Sequence, residues 1–370
     1  MKLLVFPNDA LEALDEVGYE DHNRYFNPGR VFSEVYMIYH YNRTICEKRD
    51  GMIVLKQTGP VIIRELLMTL KGIRLIMKHD IDVIRAYNPY RAGVLAVICK
   101  LVTGKPVVVS LHNNYDKLWL CRKFGFLVRG ILAFNQWLSL RFSTEAWCMT
   151  PFLKKYALER GAKRAVVTPN KVDLERYKDL PSREEIRKKL GWKDFVFLYV
   201  GRFANQKNVL RLLEAFSRVP NAKLVMVGDG ELKHKLESQV QKYGISERVD
   251  FPGFIKNTRV AEYMIGADCF VLPSLTEGFG IVLIEAQAAG LPIIASDIPE
   301  TKYIVNNNYA MLFDPKSSED LNNQMIKISR NKSIRHRLMR VSLKSSKHFD
   351  WKHLESREAN LYKKLLSTCQ

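Results

Sequence analysis

A chain of 370 residues with 47% hydrophobic content holds more apolar mass than one core takes, because single cores stop growing near ~250–300 residues; two compact domains are expected and disorder is excluded. Its 58 Lys and Arg against 39 Asp and Glu leave a net charge of +19, shared between both halves, which favours anionic partners without choosing among them. The apolar start MKLLVF is too short for a signal peptide and no run approaches the ~18 residues of a membrane span, so a cytoplasmic location is expected.

Short β-branched runs alternate with helical patterns throughout, as in parallel α/β sheets. The first half predicts strands at Lys2–Phe6, Glu34–Tyr39, Val83–Ala86, Val107–Leu111, Ala146–Met149 and Ala165–Val167. Helices are predicted over Val61–Lys78, Arg91–Val102 and the stretch after Asp116. His112 ends the strand VVVSL at its carboxyl end, where such sheets bind ligands. It reads as a contact to a sugar or acceptor, or as a loop histidine bonded to a neighbour. Residues 117–142, KLWLCRKFGFLVRGILAFNQWLSLRF, join Trp119, Phe124, Phe126, Phe134, Trp137 and Phe142 to Lys117, Arg122, Lys123, Arg129 and Arg141 with no acid. That composition suits an anionic membrane surface, and its helical spacing equally suits a core helix. Arg64, Lys71, Arg74 and Lys78 on the helix from Val61 extend the same basic face.

A proline, a polar cluster and a charged run over Thr168–Leu190 separate two repeats of this rhythm, giving domains at 1–168 and 169–351. The second half predicts strands at Phe195–Val200, Lys223–Val227, Val249–Phe251, Cys269–Leu272, Ile293–Ala295 and Ala310–Phe313. Two doubly wound parallel sheets result, and the cleft where they face each other is the expected active site. The six cysteines, at 46, 99, 121, 148, 269 and 369, show no CxxC or His/Cys zinc spacing. Reduced core thiols and no metal site are expected.

Three loops of the second half carry chemistry. Gly201-Arg202-Phe203-Ala204-Asn205-Gln206-Lys207-Asn208 follows the strand FVFLYV, where Arg202 can fork onto phosphate oxygens and Lys207 supplies a point charge. The plainer reading is a pair of solvated cations with Asn208 capping the next helix. LVMVGDG runs a strand into a Gly-x-Gly turn that does not complete a dinucleotide fingerprint. SLTEGFGIVLIEAQAAGLPIIASD places Glu277 and Glu285 eight residues apart across Gly278, Phe279 and Gly280, with a helix from Ile281 pointing its unpaired N–H groups at an anion. A diphosphate suits that end, and ribose hydroxyls suit Glu285, whose charge in an apolar run needs a partner.

Together these motifs closely resemble the family 4 retaining glycosyltransferases, "glycosyl transferases group 1", over Leu198–Pro315. The resemblance implies a GT-B fold of two Rossmann-like domains facing across a cleft, with a C-terminal helix of about 352–370 crossing back to an acceptor-binding first domain. It implies that Gly201, Arg202 and Lys207 bind the donor diphosphate, that Glu285 holds the ribose, and that Glu277 with Gly278, Phe279, Gly280 and Ile281 holds the sugar. Phe254 and Ile255, within the segment Gly253–Lys256, lie beside the base, and His112 stands near the reacting centre. Catalytic roles fall to His112, Glu277, Arg202 and Lys207.

Two departures stand out. The loop after the first strand reads Asn8-Asp9-Ala10, with Gly18-Tyr19-Glu20-Asp21-His22-Asn23-Arg24 later, where the family often has Gly-Gly. At the domain junction Asn170-Lys171-Val172-Asp173 replaces the family's glycine, which can take positive φ, by a lysine. The implied activity is a retaining, metal-independent transfer from a nucleoside diphosphate sugar to a glycan or lipid-linked hydroxyl in cell-surface polysaccharide or glycoconjugate synthesis, with no cofactor. Peripheral contact with the inner membrane face through 117–142 accompanies it. The rival readings are a GT-B epimerase or phosphorylase and, remotely, a basic nucleic-acid-binding protein. No zinc-finger or RNP-type motif supports the last, so nucleic acid is not an expected partner.

Overall fold

A computed structural model describes residues 1–16, 21–117 and 124–368. Trp119, Cys121, Arg122, Lys123, Gly18-Tyr19-Glu20 and Cys369 lie outside the described residues. The described chain forms two compact units: the described residues of 1–117, 124–169 and 352–368 in the first, and Asn170–Trp351 in the second.

The first unit holds an eight-stranded sheet ordered β3-β4-β2-β1-β5-β6-β7-β8. Its strands are β1 (Lys2–Phe6), β2 (Glu34–His40), β3 (Ile45–Arg49), β4 (Met52–Gln57), β5 (Val83–Ala86), β6 (Val107–Leu111), β7 (Glu145–Cys148) and β8 (Ala165–Val167). All neighbours pair in parallel except β3 with β4. That antiparallel hairpin is absent from the sequence reading. It turns at Asp50 and Gly51, whose φ values of 48° and 75° are the paired left-handed geometry that Asp-Gly favours in two-residue hairpins.

Parallel strands here are buried on both faces, as their continuous apolar runs demand: Leu3, Val5, Val83, Val108 and Trp147 form one core with Tyr362 and Leu365 of the returning C-terminal helix, Trp351–Ser367. Arg85 on β5 is the charged member of that core. Its Nε donates to Ser110 Oγ at 2.7 Å and its Nη1 to the Tyr362 hydroxyl at 3.0 Å, while Glu358 stands 3.6 Å away. The guanidinium also lies 4.1 Å from the Trp147 ring centre and 5.0 Å from that of Tyr87. Burying it is tolerable because every face of the planar cation meets a partner.

In the second unit six parallel strands run in the order β11-β10-β9-β12-β13-β14. They are β9 (Phe195–Val200), β10 (Ala222–Val227), β11 (Val249–Gly253), β12 (Cys269–Leu272), β13 (Ile293–Ser296) and β14 (Met311–Phe313). A core of Phe197, Tyr199, Leu212, Phe216, Met226, Val271 and Phe313 fills one side. Cys99, Cys148 and Cys269 are buried free thiols, and Cys46 is exposed. Lys171 is not among the residues with positive φ, so the junction does not need the glycine it lacks. Val172 instead bridges to Asp350, and the Lys171 ammonium lies 4.8 Å from the centre of the Trp351 ring.

Replacing Tyr362 by Ala removes a ring that both fills this core and hydrogen-bonds Arg85. Unfolding of the first unit in urea should lose about 3–5 kcal/mol of stability, and an unchanged transition would show that the C-terminal helix is not part of that core.

Candidate functional site

Strand order positions the site. In the second sheet β9 lies centrally, the chain passes outward to β10 and β11 on one side, and then returns to β12, β13 and β14 on the other. Loops leaving adjacent strands in opposite directions open a crevice at the carboxyl ends of β9 and β12, where doubly wound sheets bind ligands. Arg202 and Lys207 stand on the loop after β9, and Glu277 on the loop after β12.

Both loops are held by short contacts. Leu275 N donates to Gln206 O at 2.8 Å, and the Tyr199 hydroxyl donates to Arg202 O at 2.9 Å. Glu277 is buried, and its Oε1 accepts from Lys207 Nζ and from Ser274 Oγ, each at 2.6 Å. The structure thus brings the predicted phosphate cation and the predicted sugar carboxylate into one ion pair. Arg202 is exposed beside it. Asn208 has a φ of 55° and does not cap its helix as the sequence reading allowed; its Nδ2 donates to Pro315 O at 2.9 Å, pinning the loop to the end of β14.

Gly280 sits at the N-terminus of the helix Ile281–Ala288 with φ 81°, a conformation that L side chains rarely adopt. No side chain caps that helix, so its first N–H groups are available to an anion. Glu285 projects from its second turn. Burial raises the Glu285 carboxyl to about 7, against the opposing pull of the Arg176 charge, and Tyr177 faces it. Phe279 is buried against Phe349 and Tyr303, so it anchors the loop and presents backbone, not ring, to a ligand. Phe254 is exposed and Ile255 half-buried just beyond β11.

Sequence reasoning undervalued Gly228 and Gly230. A Cβ on Gly228 would lie 2.0 Å from Gly201 O, and one on Gly230 would lie 2.6 Å from Phe203 O. Gly201 N donates to Val227 O at 3.0 Å and Phe203 N to Asp229 O at 2.8 Å. The Gly-x-Gly turn is therefore the floor on which the Arg202 loop rests. The signal was present as two glycines directly after a strand, which mark close backbone approach.

His112 lies in the first unit at the end of β6. Its ring stacks on Tyr87 with centroids 5.8 Å apart, and its Nε2 is buried with no hydrogen-bond partner. Burial, and then the Arg85 charge, lower it to about 4, so it is neutral at physiological pH. Among the described residues no group of three or more His, Cys, Asp or Glu is placed to hold a metal ion.

The descriptions of two known families match the chain: Glycosyl transferases group 1 over residues 182–342 and Glycosyltransferase Family 4 over residues 38–176. Each match covers one part of the chain, and the chain is a glycosyltransferase. This glycosyltransferase is 27% identical, over 74% of its length and 73% of the other, to the UDP-Gal:alpha-D-GlcNAc-diphosphoundecaprenol alpha-1,3-galactosyltransferase of Escherichia coli. It is also 27% identical to the alpha-monoglucosyldiacylglycerol synthase of Acholeplasma laidlawii, over 76% of each chain. HepE of Anabaena, solved with UDP and glucose, superposes with a TM-score of 0.79 at 20% identity, covering 98% of this chain and all of that one. The fold of this glycosyltransferase is GT-B.

Gly228→Ala should displace the Arg202 loop and cost about 2–5 kcal/mol from overlap and backbone strain together. Thermal unfolding of the variant checks it, and a melting temperature equal to wild type would show that the loop has room the structure does not give it.

Proposed function

We propose that this glycosyltransferase moves a sugar from a nucleoside diphosphate sugar to a hydroxyl of a lipid-linked or glycan acceptor, with retention at the anomeric carbon and without metal or cofactor. The observation that carries this reading is the convergence of Arg202, the Lys207–Glu277 pair and an uncapped helix N-terminus at one sheet crevice. The cations and the helix end oppose the negative charge that grows on a departing diphosphate. Lys207 is already fixed by Glu277, so little reorganisation accompanies that step. The bond from C1 to the diphosphate oxygen breaks, the acceptor oxygen bonds to C1 on the same face, and its proton passes to the leaving phosphate. His112, neutral and with Nε2 open, accepts a hydrogen bond from a sugar hydroxyl or, in its other tautomer, donates one. Glu277 and the backbone from Gly278 to Ile281 hold the sugar, Glu285 holds the ribose, and Phe254 and Ile255 lie beside the base.

UDP is named with both the E. coli relative and HepE, and it is the first nucleotide to test. At 100 times its Kd a ligand stabilises by about 2.7 kcal/mol. UDP should raise the melting temperature accordingly, GDP, ADP and dTDP less, and Glu285→Ala should abolish the rise; equal response in the variant would remove Glu285 from the site. The raised Glu285 carboxyl also sets a pH dependence. Ribose hydroxyls donate to the carboxylate, so affinity for UDP-glucose should be full above about pH 7 and fall below it by up to about tenfold per unit, a slope that Glu285→Gln should lose.

The membrane reading of residues 117–142 gains support from the helix Phe126–Phe142. It turns Gln136 and Ser139 inward, 1% and 0% exposed, and leaves Phe126 86% exposed with Leu127, Ile131, Phe134 and Trp137 also outward. Phe126, Phe134 and Trp137 are exposed, which favours the membrane reading for this face of the helix, whereas Phe124 and Leu132 pack against Tyr115. Ser139 packs on Gly93 of the helix Ala92–Thr103, and Gln136 bonds Tyr156, so the inverted polarity is built in. Leu101 and Val102 continue the apolar surface, as does the helix Val61–His79 with Ile62, Leu66 and Met77 exposed among the exposed cations Arg74 and Lys78. Among the described residues no helix is long and apolar enough to cross a membrane; exposed rings beside exposed cations suit contact with the surface of an anionic bilayer. Flotation with phosphatidylglycerol vesicles should carry the protein upward at low salt and less at high salt, whereas Phe126→Ser with Phe134→Ser should stay below. Equal flotation of wild type and variant would exclude this helix from the contact.

A further inference from the structure

The two oxygens of the Glu277 carboxylate have different surroundings. Oε1 accepts from Lys207 Nζ and from Ser274 Oγ, each at 2.6 Å. Oε2 has no hydrogen-bond partner among the described residues and is not one of the enclosed polar atoms left without one, so it opens on the crevice. Two donors from different loops locate Oε1 as a point, and the planar carboxylate then sends Oε2 to a definite place. A sugar hydroxyl has that one oxygen to meet.

We infer that Ser274 is a positioning residue for the donor sugar: its hydroxyl keeps the Glu277 carboxylate in place while Lys207 answers the diphosphate. The inference rests on the transfer reaction above. Ser274 follows Pro273 directly after β12, is 0% exposed, and donates its hydroxyl to Glu277 alone among the described residues. Enclosed in this way, the hydroxyl has no water to which it could turn instead.

The two donors respond differently to a bound nucleoside diphosphate sugar. The Lys207 ammonium carries a full charge and several protons, and a diphosphate competes with Glu277 for both. As the bond from C1 lengthens, charge gathers on the diphosphate and its pull on Lys207 grows. A carboxylate tied to Lys207 alone would follow the cation and carry Oε2 away from the sugar. The serine hydroxyl is neutral, enclosed and on the same loop as Glu277, so the growing charge draws on it far less. It separates holding the sugar from answering the phosphate, two tasks that the Lys207–Glu277 pair would otherwise link.

Support of the loop itself falls to other contacts. Leu275 N donates to Gln206 O at 2.8 Å, and Phe279 anchors the far end against Phe349 and Tyr303. Deleting the Ser274 hydroxyl leaves these in place and releases the carboxylate.

The test compares UDP with UDP-glucose and UDP-galactose by calorimetry on wild type, Ser274→Ala, Glu277→Ala and the double variant. In Ser274→Ala the affinity for UDP should stay within about twofold of wild type, while the sugar nucleotides lose about tenfold relative to UDP, the size of one hydrogen bond to a charged group. Once Glu277→Ala is present, Ser274→Ala should leave that ratio unchanged, because the hydroxyl acts through the carboxylate. If the ratio is unaltered in Ser274→Ala, if UDP weakens as much as its sugar derivatives, or if the two substitutions are additive, the proposal falls. Melting temperatures of the four proteins verify folding. A wild type that binds neither UDP nor its sugar derivatives overturns the donor reading, and ligand-free crystal structures then decide alone. Oε2 turned from its wild-type place in Ser274→Ala supports the role of the hydroxyl, and an unmoved carboxylate ends it.

Discussion

In each sheet the chain lays its first strand in the middle and builds outward on one side before crossing to the other. Right-handed crossovers then put the helices of the two halves on opposite faces, and the two loops that leave adjacent central strands part from each other. Polar groups at that parting are not covered by a helix and can pair with one another there, which is why cations and carboxylates are tolerated beside an otherwise apolar strand edge. Arg202, Lys207 and Glu277 occupy one such place, and Asp9, Asn88 and Arg91 the other, where Met68 and Leu95 line the same cavity. The same topological constraint, used twice, yields one crevice dominated by donor-type charges and one that pairs charge with an apolar wall.

Much of the second unit is legible in the chain because each of its signals is local. A β-branched run ends, glycine follows, and a charged or amide residue sits within eight positions. The strands β9 to β14 and the loops after β9 and β12 follow from that pattern alone. What the pattern lacks is the partner across the sheet: nothing near Gly228 says that a carbonyl of Gly201 lies against it, and nothing near Asn208 says that Pro315 O takes its amide. Those contacts join residues 27 and 107 positions apart. Asp50-Gly51 is a different case, since a short-range turn signal was present but its flanking strand, Ile45–Arg49, carries Glu47, Lys48 and Arg49 and has little apolar alternation to announce it.

Helix Phe126–Phe142 shows how composition misleads when polarity is inverted. Helical spacing of Phe, Leu and Trp usually marks the buried stripe, yet here the buried stripe is Gln136, Ser139 and Leu140. Close approach of Gly93 explains the choice, because only a small side chain fits opposite it and Ser139 supplies one. Tyr156 hydrogen-bonds Gln136, Ser139 Oγ is buried without a hydrogen-bond partner, and the aromatic residues face outward. The structural price of that arrangement is an apolar surface that no other part of the described chain covers.

Arg85 gives the chain's order of synthesis a physical meaning. Its charge is made early, in β5, but the Tyr362 hydroxyl and the Glu358 carboxylate that accompany it emerge only after the whole second unit. Until then a guanidinium and the open flank of Trp147 stand in water, and the first unit has no complete interior. On the ribosome the second unit can therefore close before the helix Trp351–Ser367 arrives, and that helix then completes the interior of the first unit. A nascent chain stopped short of that helix carries an exposed aromatic surface, which is the kind of surface that chaperones engage.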